Sequence, residues 1–98
     1  MPLSETHRRH LRKLAHHLKP VVIVGNAGLT ENVLAEIDTA LGHHELIKVK
    51  VNAMDRDERA EMIEALASAC QAETVQKIGK VVVLYRPKPE AKPELSNL

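Results

Sequence analysis

The sequence predicts one compact α/β domain, in the order α-β-α-β-α-β-β, with a four-stranded mixed sheet packed with three helices. Three segments repeat apolar residues at intervals of three and four, which is the periodicity of an amphipathic helix. Short apolar or alternating runs follow each of these segments and predict strands. With 98 residues, 44% of them hydrophobic, the chain is long enough for a single core of moderate size.

The first predicted helix begins after Ser4, whose hydroxyl suits an N-cap, and stops at Pro20. Its apolar stripe consists of Leu11, Leu14, Ala15 and Leu18. Cationic side chains lie largely off this stripe, at Arg8, Arg9, Arg12 and Lys13. The strand predicted at 21–24 is an uninterrupted apolar run, which is typical of burial on both faces.

The second predicted helix runs from about Glu31 to Leu41, between an N-cap at Thr30 and a C-terminal stop at Gly42. Its inward positions are Val33, Leu34, Ile37 and Leu41. In the next strand, at 46–51, Lys48 and Lys50 alternate with apolar residues. This alternation predicts a strand that is half exposed or edge-like, with two lysines on its open face.

A variant capping box, Asp55 with Glu58, predicts the start of the third helix. Its expected buried side consists of Met62, Ile63, Leu66, Ala69 and Cys70. Strands at 74–78 and 81–85 flank the tight turn Gly79-Lys80 and predict an antiparallel hairpin, whereas the earlier strand-helix-strand crossovers favour parallel neighbours. Residues 1–87 form the predicted domain, and the charged, proline-containing segment 88–98 is a predicted flexible tail.

Charge is segregated along the chain although the formal net charge is only +1. Residues 1–24 contain 5 Lys and Arg against 1 acid, residues 25–76 contain 4 against 10, and residues 77–98 contain 5 against 2. A polyanion senses such local charge more than net charge. No apolar run approaches the roughly 20 residues of a membrane span, and the start of the chain lacks a secretion signal, so a cytoplasmic protein is expected. The lone Cys70 is expected to be a small buried apolar residue.

The loop Gly25-Asn26-Ala27-Gly28 joins the first strand to the second helix. Glycines let a backbone approach a partner closely, and a helix N-terminus offers unpaired amides and a positive dipole end. Such a turn suits a phosphate group. The same GxxG spacing also occurs in ordinary strand-to-helix turns, so the loop alone leaves both interpretations open.

Metal binding, catalysis and protein binding are the alternatives to nucleic-acid binding. The histidine pairs at 16–17 and 43–44 suggest a metal-binding or pH-sensing protein, but adjacent helical residues diverge by about 100° and no HxxxH or HExxH motif is present. A second alternative is an enzyme with the GxxG loop as part of a nucleotide site. The sequence has no Walker lysine after the loop, no GxGxxG motif and no Ser/His/Asp or Cys/His arrangement that can be paired from spacing. Acidic residues Asp57, Glu61 and Glu64 favour either a solvated helix face or a protein-binding adaptor surface. No catalytic residue, metal or cofactor is predicted.

Four segments in order point to a known family: LAHHLKPVV at 14–22, VGNAGLT at 24–30, HHELIKVK at 43–50 and QKIGKVVVLYRP at 76–87. Over nearly the whole chain they resemble the CRM domain (chloroplast RNA splicing and ribosome maturation), and within it the small stand-alone YhbY-like proteins of bacteria. The resemblance implies an RNA-binding domain with a fold similar to the C-terminal domain of translation initiation factor three. It also implies association with rRNA in precursors of the large ribosomal subunit, with ribosomal proteins as further partners.

The loop and nearby basic side chains are the RNA contacts that follow from the resemblance and the charge pattern. The predicted contacts are Gly25, Asn26, Ala27, Gly28, Arg8, Arg9, Arg12, Lys13, Lys19, Lys77, Lys80 and Arg86. For the basic residues the alternative is a solvated helix face, or protection of a sheet edge around the hairpin. Tyr85 is the only aromatic residue, so recognition of RNA shape and backbone is expected, by a protein that is monomeric by default.

Overall fold

The order of elements is the predicted one. The computed structural model describes residues 4–25, 27–53 and 55–87, so Asn26 and the predicted tail at 88–98 lie outside the described residues. The elements are α1 (Glu5–Ala15), β1 (Pro20–Val24), α2 (Glu31–His44), β2 (Leu46–Val51), α3 (Arg56–Ala69), β3 (Glu73–Ile78) and β4 (Val81–Tyr85). They confirm the α/β fold class with a mixed sheet and three helices.

The four strands lie in the order β1-β2-β4-β3. β1 is parallel to β2, β2 is antiparallel to β4, and β3 and β4 form the predicted antiparallel hairpin. β2 is therefore an inner strand, and the expectation that it is edge-like is wrong. Alternating apolar residues indicate that one face of a strand is buried. They do not indicate the order of the strands, because that order depends on pairing between distant parts of the chain.

The sheet lies between two unequal layers of helix. One core connects the sheet to α2 and α3 through residues such as Ile37, Leu41 and Leu66, all with no exposed surface. A smaller core on the opposite face contains Leu11 and Ala15 of α1. Because α1 has only 11 residues and packs on β2 and β3, it leaves part of its sheet face open.

This partial cover explains two differences from the expected burial. α1 ends at Ala15, before Leu18, and both Leu14 and Leu18 are partly exposed. In β1, Val22 and Val24 are buried whereas Val21 and Ile23 are exposed, so this strand is not buried on both faces. β1 is an edge strand, and α1 does not extend over its exposed residues Val21 and Ile23.

The helix termini show how local chemistry sets the element boundaries. The predicted N-caps are confirmed: Ser4 accepts from the His7 amide at 3.1 Å, and Thr30 accepts from the Val33 amide at 3.1 Å. Asp55 likewise caps α3. α2 continues through Gly42, contrary to expectation, and ends at His44, followed by the C-cap Glu45, whose φ is 60°.

α3 ends in a Schellman motif. The Ala72 amide donates to the Ala67 carbonyl at 2.9 Å, and the amide of Gln71, with φ 54°, donates to the Ser68 carbonyl at 3.2 Å. Ala67 is buried in this helix, whereas the expected Ala69 is exposed. Cys70 is buried as predicted, next to α2.

Candidate nucleic-acid interface

The GxxG loop turns sharply between β1 and α2. Gly28 has φ +76°, a conformation that side-chain-bearing residues rarely adopt, and its amide donates to the Gly25 carbonyl at 3.0 Å. The Thr30 hydroxyl accepts a hydrogen bond from the Val33 amide. The amides of Glu31 and Asn32 have no acceptor within α2, because the first amides of a helix have no preceding helical turn. These amides and the positive end of the helix dipole make the loop a suitable place for an anion.

The loop lies at the same end of the sheet as the hairpin turn. Val24, which precedes the loop, pairs with Val51 in β2, and the Val51 amide donates to the Lys80 carbonyl at 2.7 Å. Gly25 and Lys80 are both exposed here. We call this end of the strands the loop end of the sheet. It brings together two of the predicted contact regions, the GxxG loop and the hairpin turn.

A second site is an open groove of about 590 Å³ between α1 and the uncovered part of the sheet. We call it the basic groove. Its charged or protonatable lining is Arg9, Arg12, Lys13, His16, His17 and Lys48, with Ala15, Gln76 and Ile78 completing its walls. The structure therefore joins three of the predicted α1 cations to a lysine of β2, whose partner in β4 is Val83.

Lys48 is not among the predicted contacts, although the sequence contains a signal for it. A lysine that alternates with buried valines must point to the other face of its strand. Only the position of β2 inside the sheet shows that this face adjoins α1. Lys50 shares the face and lies nearer the loop end, where it pairs with Val81.

One register row crosses the open face between the basic groove and the loop end. Ile23 pairs with Lys50, Lys50 with Val81, and Val81 with Ile78. Paired residues point to the same face of a sheet, so these four side chains lie side by side. We call them the open row. Ile78 also lines the basic groove, so the two surfaces are continuous.

Arg8 is one of the cations of α1, and it also stabilises the fold. Its Nη1 donates to the Thr74 carbonyl at 2.6 Å and to the Val75 carbonyl at 3.3 Å. These carbonyls belong to β3, an edge strand with an irregular register between Thr74 and Gln76. Arg8 thus fixes α1 to the sheet edge through two backbone acceptors.

Arg86 lies away from the groove, where it connects α2 to the end of α3. Its Nη1 donates to Asp38 Oδ1 at 2.6 Å and to the Cys70 carbonyl at 2.9 Å, and its Nη2 donates to the Asp38 carbonyl at 3.0 Å. Burial, helped by the nearby Asp38 carboxylate, raises the pKa of the Cys70 thiol, while Arg86 opposes this effect. The thiol is therefore poorly suited to act as a nucleophile.

Two other predicted lysines are also separate from the groove. Lys77 pairs with the buried Val82, so it points to the face of the sheet that carries α3, where it lines a depression with Arg56 and Arg59. Lys19 lines a more apolar depression with Leu14, Leu18 and Val21. That depression adjoins the basic groove at His17, which lines both.

The sheet separates opposite charges. α1 contains four arginine or lysine residues and one glutamate, and Lys48 and Lys50 extend its positive surface. Seven acidic residues belong to α2 and α3, with only two arginines. The alternation of charge along the chain thus becomes a basic face and an acidic helical layer.

Three further features concern possible metal ligands, the lengths of the helices and the single tyrosine, in the part of the chain that the structure describes. No three His, Cys, Asp or Glu side chains are grouped there as metal ligands. None of the described helices combines the length and apolar character that a membrane crossing requires. Tyr85 is buried against His7, and burial together with Glu45 raises the pKa of its hydroxyl.

Comparison with known proteins agrees with this architecture. The model of the CRS1/YhbY (CRM) domain matches residues 3–86. A Haemophilus influenzae protein named as an RNA-binding protein is 54% identical over 93 residues, covering 95% of this chain and 94% of that protein. A probable RNA-binding protein of Pseudomonas aeruginosa is 43% identical over 98 residues, covering 100% and 94%.

A solved structure also shares the fold. The solution structure of a hypothetical Staphylococcus aureus protein, proposed to bind RNA, superposes with a TM-score of 0.81 at 39% identity, covering 97% of this chain and 98% of that one. The elements, their order and the sequence match are therefore consistent with one another. This chain belongs to the CRS1/YhbY (CRM) domain family.

Proposed function

We propose that this protein binds rRNA in precursors of the large ribosomal subunit and assists their assembly, as a monomer in the cytoplasm. The observation that carries the proposal is the basic groove, in which cations of α1 meet Lys48 of β2. Relatives that match nearly the full chain are named RNA-binding proteins, which supports the same function. The ribosomal destination follows from the resemblance to YhbY-like proteins.

The mechanism is electrostatic positioning on the RNA backbone. Arg9, Arg12, Lys13 and Lys48 neutralise phosphates and release counterions. The loop amides and the N-terminus of α2 hold a further phosphate oxygen. Because Ala27 brings no charge, this contact uses the backbone. Phosphate contacts fix orientation but carry little sequence information, so sequence preference should be weak.

Salt dependence tests the phosphate contacts directly. Four or five neutralised phosphates predict a slope of roughly −3 to −5 in a plot of log affinity against log salt. Lys48→Gln and Lys13→Gln should each reduce the magnitude of the slope by about one. Arg56→Gln, which removes the same charge from α3, is the matched control and should leave the slope unchanged. A salt-independent affinity, or an equal effect of the control, would contradict the mechanism.

Sedimentation of cell lysate on a sucrose gradient tests the destination. The variant combines Arg9→Glu, Arg12→Glu and Lys13→Glu, and it spares Arg8 because that residue holds β3. Circular dichroism first verifies that the variant is folded. The native protein should travel with large-subunit precursors while the variant stays at the top. If both stay at the top, the ribosomal destination is wrong for this protein.

A further inference from the structure

The open row is a largely apolar surface that is exposed on the basic face. Ile23 is 59% exposed and Ile78 is 52% exposed, while Lys50 and Val81 between them are half-buried. Three spacings between neighbouring strands make the row about 14 Å long. α1 covers the adjacent row, where Val83 is fully buried, but does not extend over this one.

Exposed apolar side chains are concentrated on this side of the sheet. The large apolar residues that the described parts of the chain leave exposed are Leu14, Leu18, Val21, Ile23 and Ile78. Leu14 belongs to α1 and Leu18 to the segment after it. Val21, Ile23 and Ile78 belong to the face of the sheet on which α1 packs. Concentrated apolar exposure of this kind marks an interaction site more often than a chance surface.

The charges around the row identify the chemistry of its occupant. Lys50 lies within the row, Lys48 lies two residues away on the same face of β2, and Lys80 lies in the turn between Ile78 and Val81. A ligand that matches this row presents apolar groups and negative charge at short intervals. Unpaired RNA does so, because its base faces are apolar and each nucleotide carries a phosphate.

We infer that the open row binds unpaired bases of the RNA whose phosphates occupy the basic groove. This inference rests on the proposed function. The base faces pack on Ile23, Val81 and Ile78, while the lysine ammonium groups reach the flanking phosphates and the lysine stems lie along the strand surface. Aliphatic packing does not read base edges, so the row selects loops, bulges or junctions over continuous duplex without selecting a sequence.

Binding to two RNAs of equal length tests the inference. One is a continuous duplex, and the other contains an internal loop of unpaired nucleotides. The combined variant Ile23→Thr/Ile78→Thr keeps β-branching but removes apolar surface, and it should lose about fivefold or more in affinity for the looped RNA. Its salt slope and its affinity for the duplex should not change. The control Ala65→Ser/Ala69→Ser removes exposed apolar surface from α3, on the other side of the sheet, and should have little effect.

The outcomes separate this inference from the proposed function. If the native protein binds both RNAs equally well, or if the combined variant binds the looped RNA like the native protein, the row does not contact bases and the groove mechanism stands. If the native protein binds neither RNA, the proposed function fails. If the variant loses self-association in sedimentation equilibrium while its RNA affinity is unchanged, a second copy covers the row and the inference is wrong. Should the combined variant not fold, Ile23→Thr alone decides in the same way.

Discussion

Arg9 and Arg86 carry the same charge in different surroundings. Arg9 is exposed at the basic groove. Arg86 is half-buried and donates three hydrogen bonds that hold α2 against the end of α3. Removing either cation changes the net charge equally, so net charge cannot explain a difference between the two variants.

We expect Arg86→Gln to reduce the free energy of unfolding by about 1–2 kcal/mol. The half-buried bond to the Cys70 carbonyl contributes about 1 kcal/mol, and the more exposed pair with Asp38 adds less than that because solvent screens it. RNA affinity of the folded variant should be nearly unchanged. Arg9→Gln should show the reverse pattern. Urea unfolding and RNA titration of both variants check this, and a loss of RNA affinity in folded Arg86→Gln would place Arg86 in the interface.

At the scale of structural elements, substitutions in the GxxG loop can separate effects on folding from effects on RNA binding. A methyl group on Gly25 would meet no atom within 4 Å, and the φ of this residue is not positive. Gly28 has φ +76°. The same substitution should therefore have different consequences at the two ends of the loop.

We expect Gly25→Ala to leave stability within about 0.5 kcal/mol of the native value and to lower RNA affinity, because the added methyl group obstructs a phosphate at the backbone. Gly28→Ala should cost about 1–2 kcal/mol of stability through its left-handed conformation. Gly42→Ala in α2 adds a methyl group away from the loop and controls for nonspecific effects. Thermal unfolding and RNA titration measure both quantities. Normal affinity of Gly25→Ala would show that RNA does not approach the backbone there.

Elements governed by local chemistry could be predicted from the sequence. Ser4, Thr30 and Asp55 cap their helices because a capping bond joins residues only two or three positions apart. The hairpin around Gly79 follows from the same kind of local preference. Arg9, Arg12 and Lys13 were expected to act together because they share one helix, and the structure does bring them to one groove.

Features that depend on distant pairing could not be predicted in this way. The exposure of Ile23 follows from the place of β1 at the sheet edge and from the limited reach of α1. Lys48 joins the groove because β2 lies inside the sheet. The partner of Arg86, Asp38, is 48 residues away in sequence. A periodic pattern identifies faces of an element, but it does not identify what covers them.

For the molecule as a whole, the separation of charge predicts one RNA site. The basic face should hold a single RNA segment, since the acidic layer of α2 and α3 repels a second. Reversing exposed acids with Glu61→Lys and Glu64→Lys should permit a second RNA to bind, and the mass of the complex in light scattering should rise accordingly. Glu61→Gln with Glu64→Gln is the control that removes charge without reversing it. Two RNAs bound to the native protein would contradict this prediction.

The acidic layer has a consequence for a crowded, folding RNA. When the protein is bound, its acidic helices face away from the RNA. The outer surface of the complex is therefore negative, like the RNA that the protein covers. Other RNA segments are still repelled at that place, although part of the negative backbone has been neutralised beneath the protein. A protein with this distribution of charge can stay on one RNA segment without crosslinking distant strands, and its outer surface still attracts cationic groups.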